Sequence, residues 1–268
     1  MNGAKKSLFI IAIITLFSCE TRTESLLDPN TGAPLSVKGN GAFGNEAQYI
    51  NAMQQIDDDA SLSQIRSLSY SNDAEEKQSV SGLIDEKGEI LKLTQEYTNG
   101  KGTSILLTFY FKNNKLISAL NKTIVLHETN GYCKEVKSYF GENETVAYSC
   151  TRKAKNEEKL KSLPFLTDKK YKFSYAEAME ILSQTGRFET RFLSFMETNG
   201  KEFIVVGSLG KDAYYSVLAL QPDIKAIELI QSDSKKYLNK RLKVEFADIT
   251  EANGLSFQGL LNAEIIQE

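Results

Sequence analysis

Three cysteines, a single histidine and no tryptophan occur among the 268 residues of this chain, and these counts narrow its chemistry. A Ser-His-acid triad would have to use His127. The chain also lacks a G-x-S-x-G elbow: in "VVGSLG" Ser208 follows Gly207, but Val206 stands where the first glycine belongs. A histidine-based zinc site needs partners that one histidine cannot supply. In "KTIVLHETNG" His127 closes an apolar alternating run, which reads as a surface position at a strand end. Asp57, Asp58 and Asp59 suggest Ca²⁺. An EF-hand loop counted from Asp57 needs Gly at its sixth position and Glu at its twelfth, and those positions hold Leu62 and Leu68. A solvated helix end is the better reading. Gly39, Gly41 and Gly44 spell a literal G-x-G-x-x-G. The preceding "PLSVK" is short and proline-broken, with no βαβ unit around it, so a glycine-rich tether is expected there and no dinucleotide. No cofactor and no metal is expected. Paired carboxylates are the one catalytic chemistry that 35 acidic residues leave open, without a motif to point to them.

Cys19 is placed differently. Lys5 and Lys6 precede an apolar run, Ser7 to Phe17, and the chain turns polar at Glu20. The run is shorter than the ~20 apolar residues that a membrane-spanning helix needs, and it has the layout of a secretory signal. Leu16-Phe17-Ser18-Cys19 resembles the lipobox of bacterial lipoproteins of the Bacteroidota type. That resemblance implies cleavage before Cys19, a thioether-linked diacylglycerol on its sulfur and a palmitate-type acyl group on its amine. Two or three acyl chains anchor stably where one is marginal. Residues 1–18 are then signal peptide, and the mature protein is a lipid-anchored component of the cell envelope, at the outer membrane facing the periplasm or the cell surface. Losing Lys5 and Lys6 leaves 30 basic against 35 acidic residues, a net charge of −5. Nothing in that balance favours nucleic acid.

The elements that must position any site follow from patterning. Residues 19–44 are rich in Ser, Thr, Asn, Gly and Pro and read as a flexible tether. In "NEAQYINAMQQIDDD" Tyr49, Ile50, Met53 and Ile56 share a helical face, with Asn45 as N-cap. From Gly82 the period becomes two. "GLIDEKGEILKL", "FYFKNNKLISAL" and "SYFGENETVAYS" predict three successive hairpins turning at Gly88, Asn114 and Asn143. Residues 45–158 are thus expected to form a helix plus an antiparallel meander. The charged "KAKNEEKLKS" marks a boundary, and residues 159–268 a second domain. That domain opens with a helix over "FSYAEAMEILSQTGRF", capped by a Ser174/Glu177 box and ended by Gly186. The strands that follow, with Asn239-Lys240-Arg241-Leu242-Lys243-Val244 opening the fourth, resemble an OB-like β-barrel over residues 188–266. The fold class expected is mainly β with a few helices (α+β), an N-terminal antiparallel meander followed by a C-terminal antiparallel barrel. An OB-like barrel implies a ligand face on its second and third strands, where Tyr214, Tyr215 and Phe246 are the candidate ligand-binding aromatics.

Cys133 and Cys150 flank the third hairpin. Outside the cytoplasm disulfides persist. A turn at Gly141-Glu142 would set the two cysteines opposite each other at about 4.5–5.5 Å, within bridging range. Aligning the hairpins instead puts the turn at Glu142-Asn143, with Arg152 opposite Cys133 and the cysteines on a diagonal of about 7–8 Å. A bridge closing that loop would contribute roughly 3 kcal/mol. The function expected is non-catalytic: a lipid-anchored envelope protein that binds a protein, peptide or glycan partner. The alternatives are a periplasmic hydrolase using paired carboxylates and a carrier of acyl chains or lipoproteins.

Overall fold

Helix α1 (Glu46–Asp58) opens the part of the chain that the structure, a computed structural model, describes: residues 45–210, 212–252 and 254–266. The signal segment, Cys19 and the glycine-bearing tether lie outside those residues. Asn45 caps α1 as its spacing predicts, its side-chain oxygen accepting the N–H of Gln48 at 3.1 Å. Tyr49 and Met53 are buried, and Ile50 and Ile56 pack beside them.

Among the described residues, fourteen strands form one sheet. β1 (Ser63–Arg66) and β2 (Tyr70–Ser71) both pair with β3 (Lys77–Ile84). Then β4 (Ile90–Thr98), β5 (Thr103–Lys112), β6 (Lys115–Val125), β7 (Tyr132–Phe140) and β8 (Val146–Ala154) follow in chain order, each antiparallel to the last. The turn residues explain this meander. Asn113 and Asn114 both lie in the left-handed region, as a two-residue hairpin turn requires, and Gly88, with a φ of +82°, is the left-handed residue of a longer turn from Asp85 to Glu89. The third hairpin departs from expectation. Its turn runs from Gly141 to Thr145 with Glu144 left-handed, and a bulge sits between Tyr139 and Phe140.

A short helix α2 (Glu157–Lys161) and the two-residue strand β9 (Leu166–Thr167) close the far edge against β8. Helix α3 (Ala176–Ser183) follows. The Ser174/Glu177 capping box does not form: Tyr175 is the N-cap without a side-chain bond, and Glu177 instead meets Arg187 at 2.6 Å. The left-handed cap is Gln184, two residues before Gly186. Next come β10 (Arg191–Thr198), β11 (Lys201–Gly207) and β12 (Tyr215–Ala219), helices α4 (Lys225–Ser232) and α5 (Ser234–Tyr237), and the hairpin β13 (Leu242–Thr250) and β14 (Ser256–Ile265). Pairing runs β10-β11-β12, then β12 to β14 in parallel, β14 to β13, and β13 back to β10 through an Arg191–Arg241 bridge.

The two sequence segments expected on either side of residue 158 share this sheet, because β12 also pairs with β2 at Tyr215 and Ser71. They share a core as well. Tyr70, Val80, Leu93 and Phe109 from the first part are buried in one cluster with Phe188, Ile204, Leu218 and Val244 from the second. Residue 158 therefore falls inside one packed body and not between two separate cores. Each such side chain contributes on the order of 1.5–3 kcal/mol on burial. A smaller cluster, centred on Tyr49, Tyr110, Ile117 and Tyr139, forms where α1 covers the opposite face of the meander.

Candidate functional site

Strand alternation decides which residues of β3 and β4 reach solvent. Gln78, Val80 and Gly82 point into the core with Leu93 and Gln95, so Ser79, Ser81, Thr94 and Glu96 occupy the other face. Ser79 is opposite Glu96 and Ser81 is opposite Thr94. These four neighbours form a polar array whose side chains make no hydrogen bond to other described residues. The β13–β14 hairpin leans over the array and turns it into a cleft of about 380 Å³, a volume typical of small-ligand sites.

The hairpin is fixed there by named contacts. Arg66 donates to Asp248 at 2.7 Å. Gln258 accepts the N–H of Ser69 at 2.7 Å, and its amide nitrogen donates to the carbonyl of Ser67 and to Asp248, both at 3.3 Å. Ser67 is spent on structure, donating to the Leu68 carbonyl and accepting the N–H of Val80. Val80 is the only apolar residue among those that line the cleft. Its walls therefore offer hydroxyls, carboxamides, one Arg–Asp pair and the exposed carboxylate of Glu96, and almost no surface for an apolar ligand.

On the core side of the same strands a second polar network holds the two parts of the chain in register. Glu76 accepts hydrogen bonds from Tyr97 at 2.8 Å, from Tyr214 at 2.7 Å and from Asn72 at 2.8 Å. Those bonds, that from Tyr214 first, hold its carboxyl below the usual range. The Tyr214 hydroxyl also accepts from buried Gln78 at 2.8 Å, and Gln95 donates to Gln78 at 2.9 Å. Burial pushes the Tyr214 hydroxyl up to about 12. Gly207 permits the close approach here, since a Cβ on it would stand 2.5 Å from the Tyr214 carbonyl oxygen.

The three aromatics expected to line one ligand face are not gathered together. Tyr214 is 1% exposed, its ring packed 4.8 Å from that of Phe188. Phe246 packs against the core opposite Leu260. Tyr215 sits half-buried on the outer face of β12. Tyr214 is corrected to a core residue, and Phe246 to a half-buried residue packed on that core.

The proposed disulfide is likewise corrected. Cys133 faces Ala154 and Cys150 faces Lys137, so the cysteines lie four strand positions apart, roughly 13 Å at the usual rise per residue. That exceeds bridging distance, and both thiols are free and buried. The longer turn and the bulge moved the register. Burial pushes the Cys150 thiol up to about 12. Beside it lies a cluster that periodicity did not disclose: buried Glu46 accepts from the Tyr139 hydroxyl at 2.9 Å, and burial raises the Glu46 carboxyl. The only sequence signal for it was a glutamate in the first turn of an otherwise apolar-faced helix.

His127 is exposed, as expected, with its ring nitrogen near the backbone N–H of Thr129 at 3.3 Å. Among the described residues no cluster of three or more His, Cys, Asp and Glu side chains is placed to hold a metal ion, and no helix is long and apolar enough to cross a membrane. No known protein family, curated protein or solved structure matches this chain.

Proposed function

We propose that this is a lipid-anchored envelope protein, held by acyl chains on Cys19, that binds a glycan partner without transforming it. The observation that carries the reading is the array of Ser79, Ser81, Thr94 and Glu96: four adjacent polar side chains with no partner among the described residues, inside a cleft with one apolar lining residue. Hydroxyls both donate and accept, so such a wall matches a ligand that presents many hydroxyls. A ligand rich in apolar side chains gains nothing there.

The ring of pairings through β10, β11, β12, β14 and β13 supports reading residues 188–266 as a partly open, five-stranded OB-like barrel. In this reading the barrel's β13–β14 hairpin closes the cleft. Glu96 and Asp248 both line it, which is what keeps a carboxylate-pair hydrolase as the second reading. Asp248 is engaged by Arg66 and Gln258, so Glu96 would have to act as the acid.

The test is a glycan-array screen of protein beginning at Glu20, which keeps every described element, followed by titration of the hits. Binding should fall at least tenfold in Ser81→Phe, which fills the cleft from an exposed face. Equal binding by the variant, or selective capture of peptides over glycans, would remove this reading. Release of reducing ends during the titration would favour the hydrolase.

A further inference from the structure

The far end of the meander gathers lysines in excess of the carboxylate of Asp168, which lies near Lys134 and Lys169. Lys134 on β7 and Lys153 on β8 are directly opposite in register and so project from the same face. Like charges at that position are destabilising. Three more lysines are brought to them by the segment after β9, which is laid across this face by backbone bonds. The N–H of Tyr171 donates to Ser149 at 3.1 Å, its carbonyl accepts from Ser138 at 3.0 Å, and the N–H of Asp168 donates to the Ser149 carbonyl at 3.1 Å. Ser138 and Ser149 are buried and hydrogen-bonded to each other at 2.7 Å, so two core hydroxyls are spent on holding a lysine-rich segment in place. That segment carries exposed Lys169, Lys170 and Lys172.

None of these five lysines forms a salt bridge with another described residue. The carboxylate of the segment, Asp168, is engaged by the Tyr171 hydroxyl at 2.8 Å. Two tyrosines sit among the charges. Lys153 lies 4.0 Å from the centre of the Tyr132 ring, and Lys134 and Lys169 lie 4.9 and 5.4 Å from that of Tyr171. Leu166, opposite Thr151 and therefore on the same face, is 54% exposed.

We infer that this face docks on the anionic headgroups of a membrane surface, as a second contact beside the lipid anchor. Charge complementarity selects an anionic partner in an otherwise acidic chain. The exposed leucine and the two amphipathic tyrosine rings among lysines select a lipid surface over a soluble polyanion, because they have an apolar boundary to enter only there. Lysines supply compact charges without the planar fork that a specific anion site would use. Such a contact is weak alone and effective when an anchor holds the protein near the bilayer. The inference uses the lipid anchor of the proposed function but is independent of the glycan cleft.

The experiment is co-sedimentation of protein beginning at Glu20 with vesicles of equimolar phosphatidylglycerol and phosphatidylcholine, against phosphatidylcholine alone. The protein should sediment with the anionic vesicles only and be released by high salt. Lys134→Glu/Lys153→Glu should weaken this at least tenfold, since each basic residue near an anionic surface contributes appreciably. Lys87→Glu/Lys115→Glu, which changes net charge equally at remote turns, should not. Circular dichroism checks that both variants fold. No preference for anionic vesicles, or equal loss in both variants, overturns the inference. So does binding to dissolved polyglucuronate without binding to vesicles. Glycan binding should survive Lys134→Glu/Lys153→Glu, which separates failure here from failure of the cleft reading.

Discussion

Tyr214→Phe tests the seam that holds the two parts of this protein together. The substitution keeps the ring and its contact with Phe188 and removes only the hydroxyl, which donates to Glu76 and accepts from Gln78. A hydrogen bond to a charged acceptor is worth about 1.5–3 kcal/mol, and a buried donor left without a partner costs about 1–3 kcal/mol. Gln78 is 4% exposed, so water does not replace the lost acceptor. Glu76 keeps its bonds from Tyr97 and Asn72, which puts its share at the lower end. Together these give a loss of roughly 2–4 kcal/mol, against about 1 kcal/mol for Tyr97→Phe, whose hydroxyl makes a single bond near the surface. Urea unfolding at neutral pH, read at unchanged m-value, measures both. The acid side supplies a second readout. The folded-state pKa of Glu76 lies below its usual 4.5, so its contribution is present above that value and is lost as pH falls through the depressed one. Tyr214→Phe removes the largest cause of the depression and should flatten that part of the pH–stability curve. A loss under about 0.5 kcal/mol, or an unchanged acid slope, would show that the network does not hold the seam.

Two further outcomes are expected. Burial raises the Glu46 carboxyl, so the folded state favours its neutral form and α1 docking weakens as pH rises from its usual 4.5 through the raised value. Glu46→Gln should therefore slow hydrogen exchange in α1 at neutral pH and change little below pH 4.5; faster exchange in the variant at neutral pH would contradict this. Thiol counts in denaturant should be the same with and without reductant, because Cys133 and Cys150 are out of reach of each other, and in native protein Cys150 should resist alkylation for hours.

Much of the meander was legible because its turn chemistry is local. Gly88, Asn113 and Asn114 accept positive φ, and the alternation on either side of them sets the strands without help from distant residues. Asn45 as a cap and the face of α1 were legible for the same reason. The third hairpin was not. A glutamate in left-handed conformation and a bulge add residues that no pattern announces, and each added residue shifts every partner beyond it. The cysteine pairing failed on that shift. The capping box of α3 failed to a competing ion pair, since Arg187 takes Glu177.

The cleft lay beyond reading from the chain for a different reason. Its residues come from β1, β3, β4, β13 and β14, so Arg66 meets a partner 182 positions away. Ser79, Ser81 and Thr94 look like any solvent-facing residues of an alternating strand until the hairpin from the other end of the chain covers them. What the sequence determined by itself was what depends on near neighbours: the first helix, the positions of the first two hairpin turns and the mainly β class. Tertiary structure alone decided that the segments on either side of residue 158 share one core, that Tyr214 is buried in it and Phe246 packs against it, and that five lysines converge on one face. Each of these depends on strand pairing and pleat direction over long separations, which spacing along the chain does not encode.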